Sequence, residues 1–344
     1  MSYQVTIQPS GNVYSVPESE TFLAAAIDAG LNLPYGCRNG ACGACKGKVI
    51  SGEVDYGDYQ GTALSEAERA DGYALFCCAK PRSDAQIECR EATNLNAIKP
   101  RIMPARVQTM EKLSHDVMAL FLKLPSNERL QFMAGQYIEF ILKDGKRRAF
   151  SLANAPHNDE FLELHLRLVP GGTFTEYVFK EMQEKAILRL EGPFGSFYLR
   201  EDSNRPIIFV AGGTGFAPIK GIIEHILHQT TEREMVLYWG AKILEDLYMP
   251  TLPQAWASMH PHFKFIPVLS EPLESDAWKG RTGMVHEAVL EDFADLSAHQ
   301  VYCCGAPVMV DVAHAAFQAQ GLPADEFFSD AFTYANPLPK GQGQ

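Results

Sequence analysis

The N-terminal quarter of the chain is organised around Gly36-Cys37-Arg38-Asn39-Gly40-Ala41-Cys42-Gly43-Ala44-Cys45. This stretch places three thiols in the spacing C-x4-C-x2-C, and two more, Cys77 and Cys78, follow later in the chain. Cysteine thiolates are the soft ligands that iron–sulfur clusters need, and this spacing opens one known type of [2Fe–2S] ligand set. The glycines let the loop turn its backbone N–H groups toward the sulfurs at little steric cost. The stretch therefore predicts an iron–sulfur centre.

The fourth ligand is one of two adjacent cysteines in Leu75-Phe76-Cys77-Cys78-Ala79-Lys80-Pro81. The stretch resembles the Cys-x-Ala-x-Pro pattern of plant-type ferredoxins, and only Cys77 fits that pattern. The resemblance implies that Cys37, Cys42, Cys45 and Cys77 hold the cluster and that Cys78 packs behind them. A zinc site or disulfides are the alternatives. Zinc sites favour paired C-x2-C or Cys/His spacings, and no histidine lies near this loop, which favours the cluster.

Composition narrows the class of protein. A chain of 344 residues is long enough for two or three domains. A net charge of −12 argues against nucleic acid or an anionic membrane as the main partner. The eight cysteines are not spaced like a secreted disulfide framework, and we find neither a signal-peptide pattern nor an apolar run long enough to span a membrane. We therefore expect a cytoplasmic protein.

Residues 1–93 are expected to form one domain. A hairpin signal surrounds Pro9-Ser10-Gly11, a helical pattern runs from Thr21 to Gly30, and strands follow the cysteine loop. This order resembles the β-grasp domain of plant-type ferredoxins. Residues 94–103 are expected to be a linker, because Pro100 and Pro104 flank Arg101-Ile102-Met103.

The rest of the chain changes its pattern twice, which predicts a multidomain α+β and α/β protein. Residues 104–202 contain short β runs separated by Gly, Pro and Asp, a pattern typical of a small antiparallel β-barrel. In residues 203–333 strands alternate with helical stretches, which predicts a parallel α/β domain. Residues 334–344 are rich in Pro, Gly and Gln and are expected to be a flexible tail.

A glycine-rich turn begins the α/β domain at Ala211-Gly212-Gly213-Thr214-Gly215-Phe216-Ala217-Pro218. It follows an apolar strand, and Pro218 suits the first position of a helix. Glycines allow a pyrophosphate to approach the backbone, and the helix N-terminus offers free N–H groups. The motif lacks the third glycine of the dinucleotide fingerprint and the acidic residue after the next strand. We interpret it as a nucleotide site, with a ligand-free tight turn as the alternative.

Five short motifs follow one another in the order typical of the ferredoxin–NADP⁺ reductase superfamily. They are Arg148-Ala149-Phe150-Ser151, Gly171-Gly172-Thr173-Phe174-Thr175, Glu191-Gly192-Pro193-Phe194-Gly195, Gly213–Pro218 and Cys304-Gly305-Ala306-Pro307. Each motif is short, but the five in this order resemble that superfamily closely. The resemblance implies that the barrel binds FAD and that the α/β domain binds a nicotinamide nucleotide.

The resemblance also implies the flavin contacts. Arg148 would pair with the FAD pyrophosphate, a role that suits its forked guanidinium, and Ala149 would line the same site. Phe150 would stack on the flavin, although the family usually has Tyr there and the hydroxyl contact is lost. Ser151 would hydrogen-bond near flavin N5, where hydride arrives. The remaining phosphate contacts would come from Gly172, Thr173 and Thr175.

On the nicotinamide side the resemblance implies a second group of residues. Cys304 would lie beside the nicotinamide and align its C4, and an alternative is that Cys303 and Cys304 are two buried strand thiols. The nucleotide would be held by Gly213, Thr214, Gly215, Pro218 and Gly305.

Coenzyme choice is predicted from Ser270-Glu271, where the family typically has Ser-Arg for NADPH. A carboxylate repels a 2′-phosphate and accepts hydrogen bonds from a free ribose diol, so we expect NADH rather than NADPH. Two basic residues, Lys242 and Lys279, weaken this preference.

The last strand, Glu326-Phe327-Phe328-Ser329-Asp330-Ala331-Phe332, resembles the closing strand of the family. The resemblance implies an acidic residue and an aromatic ring over the flavin, for which Glu326 and Phe332 are the candidates. A core strand with aromatic packing is the alternative, and twelve residues follow Phe332.

Together these features predict an electron relay from NADH through FAD and [2Fe–2S] to a separate protein. The whole chain resembles the single-chain reductases that serve a dehydrase or a bacterial mono- or dioxygenase. We expect a monomer that binds neither nucleic acid nor membrane. A sensing or binding module without turnover is the rival hypothesis, and the retention of Arg148, Ser151 and Cys304 argues against it.

Overall fold

The computed structural model describes residues 1–89, 91, 98–229 and 232–333. The chain divides into two units: the first comprises Met1–Lys99, Phe194–Ser196 and the residues from Ala331 onward, and the second comprises Pro100–Pro193 and Phe197–Asp330. The predicted tail 334–344 and residues 94–97 of the predicted linker lie outside the described residues.

The first unit is a mixed β-sheet with a short helix packed against it. Its elements are β1 (Ser2–Gln8), β2 (Val13–Pro17), α1 (Phe22–Asp28), β3 (Lys46–Ser51), β4 (Val54–Asp55), α2 (Glu66–Ala70), β5 (Tyr73–Leu75), β6 (Lys80–Pro81) and β7 (Ala85–Glu88). The main sheet has the order β2-β1-β7-β3-β5, and β4 pairs with β6. In β1 the apolar Val5 and Ile7 are buried while their neighbours are more exposed, so the alternation selects the face that packs on the core. The fold is the predicted β-grasp.

The cluster loop lies between α1 and β3. Thr21 caps α1 by accepting a hydrogen bond from the Ala24 N–H at 3.1 Å, which satisfies one of the free donors of the first turn. The buried Phe22 packs against Phe76, with ring centroids 5.5 Å apart. Because Phe76 directly precedes Cys77, this contact anchors the second half of the ligand set.

The second unit begins with the antiparallel barrel. Its elements are β8 (Arg101–Lys112), β9 (Val117–Lys123), β10 (Tyr137–Ile141), β11 (Arg147–Ser151), β12 (Leu162–Arg167), α3 (Thr173–Lys180) and β13 (Ile187–Phe194). The sheet has the order β11-β10-β13-β8-β9-β12, and an antiparallel bridge between Leu152 and Leu164 links its two edges. Closing the sheet in this way removes exposed strand edges. The prediction of an antiparallel barrel is confirmed.

Strand β8 begins earlier than the sequence suggested. Ile102 and Met103 pair with Glu191 and Leu190 of β13, so the last part of the predicted linker belongs to the barrel. The reason is Met103, which is almost fully buried and joins the barrel core. The prolines at 100 and 104 that suggested a linker are compatible with this strand.

The second unit continues with the parallel α/β domain. Its elements are β14 (Ile207–Gly212), α4 (Phe216–His228), β15 (Met235–Ala241), α5 (Thr251–Met259), β16 (Phe263–Leu269), β17 (Arg281–Thr282), α6 (Val285–Asp292), β18 (Gln300–Gly305), α7 (Pro307–Ala319) and β19 (Phe327–Ala331). The sheet order is β17-β16-β15-β14-β18-β19. The central strands are buried on both faces and read as continuous apolar runs, as parallel strands do. The parallel domain is therefore confirmed as predicted.

Within the described ranges, none of the helices is both long enough and apolar enough to cross a bilayer.

Candidate functional site

The cluster loop holds its cysteines through a backbone that only glycine adopts easily. Gly40 has φ +73° and Gly43 has φ +74°, in the left-handed region that disfavours side chains. A β-carbon added to Gly40 would lie 2.7 Å from the Cys78 sulfur and 3.0 Å from Tyr59. Glycine at this position therefore allows the loop to pack closely on the segments that carry Cys78 and Tyr59.

The four predicted ligands meet as two contacting pairs: Cys37 and Cys42 form the first ligand pair, and Cys45 and Cys77 form the second. The Cys42 thiol hydrogen-bonds to Cys37 and lowers the pKa of Cys37 to about 6. The Cys45 thiol, helped by that of Cys78, does the same for Cys77 and lowers its pKa to about 4. A [2Fe–2S] cluster needs two cysteine sulfurs for each of its two irons, and the two contacting pairs supply this number.

Backbone N–H groups converge on the same sulfurs. The N–H of Cys37 donates to the Cys42 sulfur at 3.3 Å, and those of Asn39 and Ala41 stabilise the Cys37 thiolate. The N–H of Gly40 does so for Cys77. Donors aimed at sulfur offset the negative charge of an iron–sulfur cluster. The donor set and its surroundings thus fit a [2Fe–2S] cluster.

The predicted flavin residues lie together on β11. Ser151 is buried, and the half-buried Phe150 packs its ring 5.6 Å from Phe174 and 5.8 Å from Phe140. The neighbouring Arg147 forms ion pairs with Glu139 at 3.0 Å and with Glu191. Arg148 forms no ion pair with a described acidic residue, and its Nη1 donates to the carbonyl of Arg147 at 2.8 Å. Its charge is therefore available for a diphosphate.

The phosphate loop of the barrel ends at α3. Gly172 occupies the N-cap and no side chain caps the helix, so the exposed Thr173 begins it with free N–H groups. The Thr175 hydroxyl accepts the N–H of Val169 at 3.1 Å and lies 3.3 Å from the Val169 and Gly172 carbonyls. Thr175 therefore closes the loop on itself, and the direct phosphate contact that the resemblance implied for its hydroxyl stays a prediction.

The glycine-rich turn of the α/β domain is packed against the end of β18. Gly213 has φ +53°, and a β-carbon on Gly215 would lie 2.0 Å from the carbonyl oxygen of Cys304. The half-buried Thr214 lies between them. Helix α4 begins at Phe216, so Pro218 is its third residue instead of its first. Proline is tolerated there because N–H groups of the first turn have no partner within the helix.

Cys304 and Gly305 end β18 beside this turn. Gly305 has φ +154°, and a β-carbon on it would lie 3.1 Å from Gly212. The thiol of Cys304 is fully buried, and burial raises its pKa well above the ordinary value, so it stays protonated. Cys303 is equally buried, as expected for a strand thiol.

Two acidic residues of the last segment lie at opposite ends of β18. Glu326 accepts a hydrogen bond from Gln300, the first residue of β18, at 2.7 Å, and lies 3.4 Å from Arg205. Asp330 is buried and its charge acts on Cys304. The structure therefore does not bring Glu326 to the end of the sheet that carries Cys304, and it brings Asp330 there instead. The half-buried Phe332 follows two residues later.

Glu271 lies just beyond the end of β16, and its role in coenzyme choice stays a prediction. The backbone N–H of Glu271 donates to the carbonyl of Lys242 at 2.9 Å, which holds the ends of β15 and β16 together. The two side chains form an exposed ion pair at 3.5 Å. Since both are mostly exposed, this pair is weak and leaves the carboxylate accessible to a ribose.

Sequence reasoning missed the buried polar face of β12. Leu162-Glu163-Leu164-His165-Leu166-Arg167 alternates apolar and polar residues, and this alternation was the available signal. Glu163 accepts from Lys220 of α4 at 2.9 Å and bonds His165 at 2.8 Å, and the other nitrogen of His165 meets the hydroxyl of Tyr248 at 2.9 Å. This network ties the barrel strand to the helix that follows the glycine-rich turn.

Arg167, on the same face, places a cation beside that turn. A β-carbon on Gly213 would lie 2.9 Å from Arg167 Nη1. Its Nε lies 3.1 Å from Asp116, while its Nη2 is buried with no hydrogen-bond partner among the described residues. A buried, unpaired guanidinium nitrogen next to a glycine-rich turn suits an anion.

Three known protein families match three successive ranges of the chain. Residues 5–82 match a 2Fe-2S iron-sulfur cluster binding domain, residues 104–198 an oxidoreductase FAD-binding domain and residues 209–315 an oxidoreductase NAD-binding domain. The cofactors [2Fe–2S], FAD and NAD(H) are therefore confirmed, and the zinc alternative is not supported.

Several characterised relatives match over nearly the whole chain. The CDP-6-deoxy-L-threo-D-glycero-4-hexulose-3-dehydrase reductase of Yersinia pestis is 40% identical over 332 residues, which cover 96% of this chain and 99% of the relative. Reductase component 2 of the terephthalate 1,2-dioxygenase of a Comamonas species is 35% identical over 96% of this chain and 98% of the relative. The crystal structure of the Amycolatopsis cytochrome P450 reductase GcoB superposes with a TM-score of 0.81 at 34% identity, covering 97% of this chain and 100% of GcoB.

These relatives are reductases or reductase components, and each matches at least 96% of this chain, which spans all three domains. The match confirms the prediction of an NAD(P)H-dependent oxidoreductase that transfers electrons, in preference to a sensing module. The chain belongs to the ferredoxin-reductase-type oxidoreductases that carry an N-terminal [2Fe–2S] domain.

Proposed function

We propose that this reductase uses NADH to supply single electrons to a separate dehydrase, in the manner of CDP-6-deoxy-Δ3,4-glucoseen reductase. The observation that carries the proposal is the 40% identity to the Yersinia pestis dehydrase reductase over 96% of this chain and 99% of that relative. When bound, FAD accepts two electrons as hydride and the cluster carries one at a time, which makes the flavin the converter between the two.

The proposed roles of the residues come from the family resemblance. Ala149 and Arg148 would line the pyrophosphate side of the flavin, with Arg148 supplying the positive charge. Phe150 offers its ring for stacking, and Ser151 offers a buried hydroxyl near the atom that receives hydride. The residues proposed to hold the remaining phosphates and the nucleotide are Gly172, Thr173, Gly213, Thr214, Gly215, Pro218 and Gly305.

A second candidate partner is an oxygenase component. The reductases of the Comamonas terephthalate dioxygenase and of a Pseudomonas phenol 2-monooxygenase are each 35% identical to this chain. They share its domain order, so the two proposals agree on the whole internal path and differ only in the protein that receives the electrons.

Reconstitution with defined partners separates these two proposals. The full chain, loaded with FAD and cluster, is mixed with NADH and either a sugar-nucleotide dehydrase of the 3,6-dideoxyhexose type or a terephthalate-type oxygenase. We expect turnover of the deoxysugar substrate with the dehydrase and only background NADH oxidation with the oxygenase. Turnover with the oxygenase and only background NADH oxidation with the dehydrase would instead identify the chain as an oxygenase reductase.

Coenzyme preference is tested at Glu271. We expect Glu271→Ser to raise the ratio of kcat/KM for NADPH to that for NADH roughly tenfold, because a carboxylate no longer repels the 2′-phosphate. The matched control is Glu274→Gln, an exposed acid nearby. An unchanged ratio in Glu271→Ser, or an equal change in the control, would contradict a role of Glu271 in coenzyme choice.

We further propose that the protein works as a cytoplasmic monomer and binds neither nucleic acid nor membrane. The eight cysteines are all free, which suits a reducing compartment. The net charge of −12 disfavours anionic surfaces. Light scattering of the FAD-loaded protein tests the monomer.

A further inference from the structure

Cys78 is a fifth thiol beside the four predicted cluster ligands, and its contacts indicate more than a packing role. Its sulfur lies 3.6 Å from the Cys77 sulfur and the residue is only half-buried. The sulfur also faces the loop of the first ligand pair, because a β-carbon on Gly40 would lie 2.7 Å from it. Cys78 therefore lies between the second ligand pair and the glycine-rich loop.

The distance between the two sulfurs is the important quantity. In a tetrahedral metal–thiolate site with bonds of about 2.3 Å, two sulfurs on one metal ion lie about 3.8 Å apart. The separation of 3.6 Å between Cys77 and Cys78 is close to this value. A metal ion bonded to Cys77 is consequently within reach of Cys78 after a small side-chain rotation.

Cys89 provides a comparison. It is buried beside β1, where its backbone N–H donates to the carbonyl of Gln8 at 3.2 Å.

We propose that Cys78 is a reserve ligand of the [2Fe–2S] cluster, able to replace Cys77 on the same iron. In the exchange, the iron bond to the Cys77 sulfur breaks and a bond to the Cys78 sulfur forms. The proton of the Cys78 thiol moves to the released Cys77 thiolate, and no electron is gained or lost. The inference depends on the cluster assigned above.

Removal of Cys77 tests the exchange in the full, FAD-loaded chain. Iron and acid-labile sulfide per FAD are measured in wild type, Cys77→Ala, Cys77→Ala/Cys78→Ala and the control Cys89→Ala. We expect Cys77→Ala to keep at least roughly half of the wild-type iron, and the double variant to lose roughly tenfold. The control should match wild type.

The nature of the replacement bond is read from spectra. In Cys77→Ser we expect visible absorption and electron paramagnetic resonance of a cluster with four sulfur ligands, because Cys78 outcompetes the harder serine oxygen. A serine-type spectrum, or loss of iron from Cys77→Ala as complete as in the double variant, overturns the proposal. If Cys77→Ala also loses FAD, the Cys77→Ser spectrum decides. Iron missing from wild type itself would overturn the cluster and not only the reserve role.

Discussion

Asp330 and Glu326 lie in the same short segment of the chain but at opposite ends of β18, so their carboxylates have different neighbours. Asp330 is buried near Cys304 at the end of β18 that meets the glycine-rich turn, whereas Glu326 is held by Gln300 at the other end. We propose from this location that Asp330 takes the role that the family resemblance implied for Glu326.

The first prediction compares these two residues. We expect Asp330→Asn to slow flavin reduction by NADH roughly ten- to a hundredfold, because displaced reacting groups lose rate steeply. Glu326→Gln should leave the rate close to wild type. Stopped-flow bleaching of the flavin absorbance measures both, and equal rates in the two variants would contradict the assignment of Asp330.

The second prediction concerns Gly215. Its φ of −58° suits any residue, so the effect of a side chain here is purely steric. The added β-carbon of Gly215→Ala would lie 2.0 Å from the Cys304 carbonyl, and we expect a loss of about 3 kcal/mol of stability with weaker NADH binding. Gly61→Ala, where nothing lies within 4 Å, is the control. Thermal melting and NADH titration give the two readouts, and melting of Gly215→Ala at the wild-type temperature would refute the close contact.

At the scale of elements, β12 and α4 are joined by a buried charged network. Lys220 also donates to the carbonyl of Ala153 at 3.1 Å and pairs with Glu224 at 2.9 Å. Burial by itself would raise the pKa of Glu163, but the hydrogen bond from His165 and the charge of Lys220 outweigh it and lower the pKa to about 2. Burial lowers the pKa of His165, so its ring is neutral, with Nε2–H donated to Glu163 and Nδ1 accepting from Tyr248. The network is thus arranged for a charged carboxylate and a neutral imidazole.

The third prediction follows from the sign of these shifts. The pKa of Glu163 is lower in the fold than its ordinary value of 4.5, so its carboxylate stabilises the folded state above pH 4.5. This contribution to the free energy of unfolding, about 3 kcal/mol, is lost as the pH falls from 4.5 toward 2. Because the pKa of His165 is lowered in the fold, its ring binds a proton more readily in the unfolded chain below pH 6.5. Acidification therefore favours unfolding through His165 as well. We expect Glu163→Gln to be less stable than wild type at pH 7 and to lose less stability on acidification.

Urea unfolding at pH 7 and pH 4, followed by flavin fluorescence, measures this difference. Glu160→Gln removes an exposed carboxyl from the segment just before β12 and is the control. Lys220→Met leaves Glu163 without its cation and should cost about 3–5 kcal/mol at pH 7. Parallel pH dependence of Glu163→Gln and wild type would show that the carboxylate does not govern acid stability.

At the scale of the whole molecule, the two electron-carrying sites can be separated by the choice of acceptor. Cys42 belongs to the first ligand pair and has no part in the flavin site. We expect Cys42→Ser to reduce cytochrome c at least roughly tenfold more slowly, because the one-electron path through the cluster is lost. Reduction of ferricyanide should stay near the wild-type rate, because the flavin delivers those electrons directly. Equal loss of both activities, with FAD still bound, would argue against the relay.

Features coded within a few residues could be predicted from the sequence. The spacing of Cys37, Cys42 and Cys45, the glycine-rich turn at Gly213 and the alternation of β runs each depend on local backbone geometry. The start of a helix near Thr21 and the hairpin at Gly11 belong to the same class. The order of these features along the chain then determined the three domains, since each motif is tied to one kind of fold.

Contacts between residues far apart in the chain were decided only by the tertiary structure. Asp330 in place of Glu326, Arg167 beside Gly213 and Glu163 against Lys220 each depend on which strands and helices become neighbours and in which register. A shift of a few residues along a strand moves a side chain to the other end of the sheet, and no local pattern encodes that shift. The local sequence therefore determined which cofactors this protein carries, while the packing of its strands decided which charged side chains stand beside them.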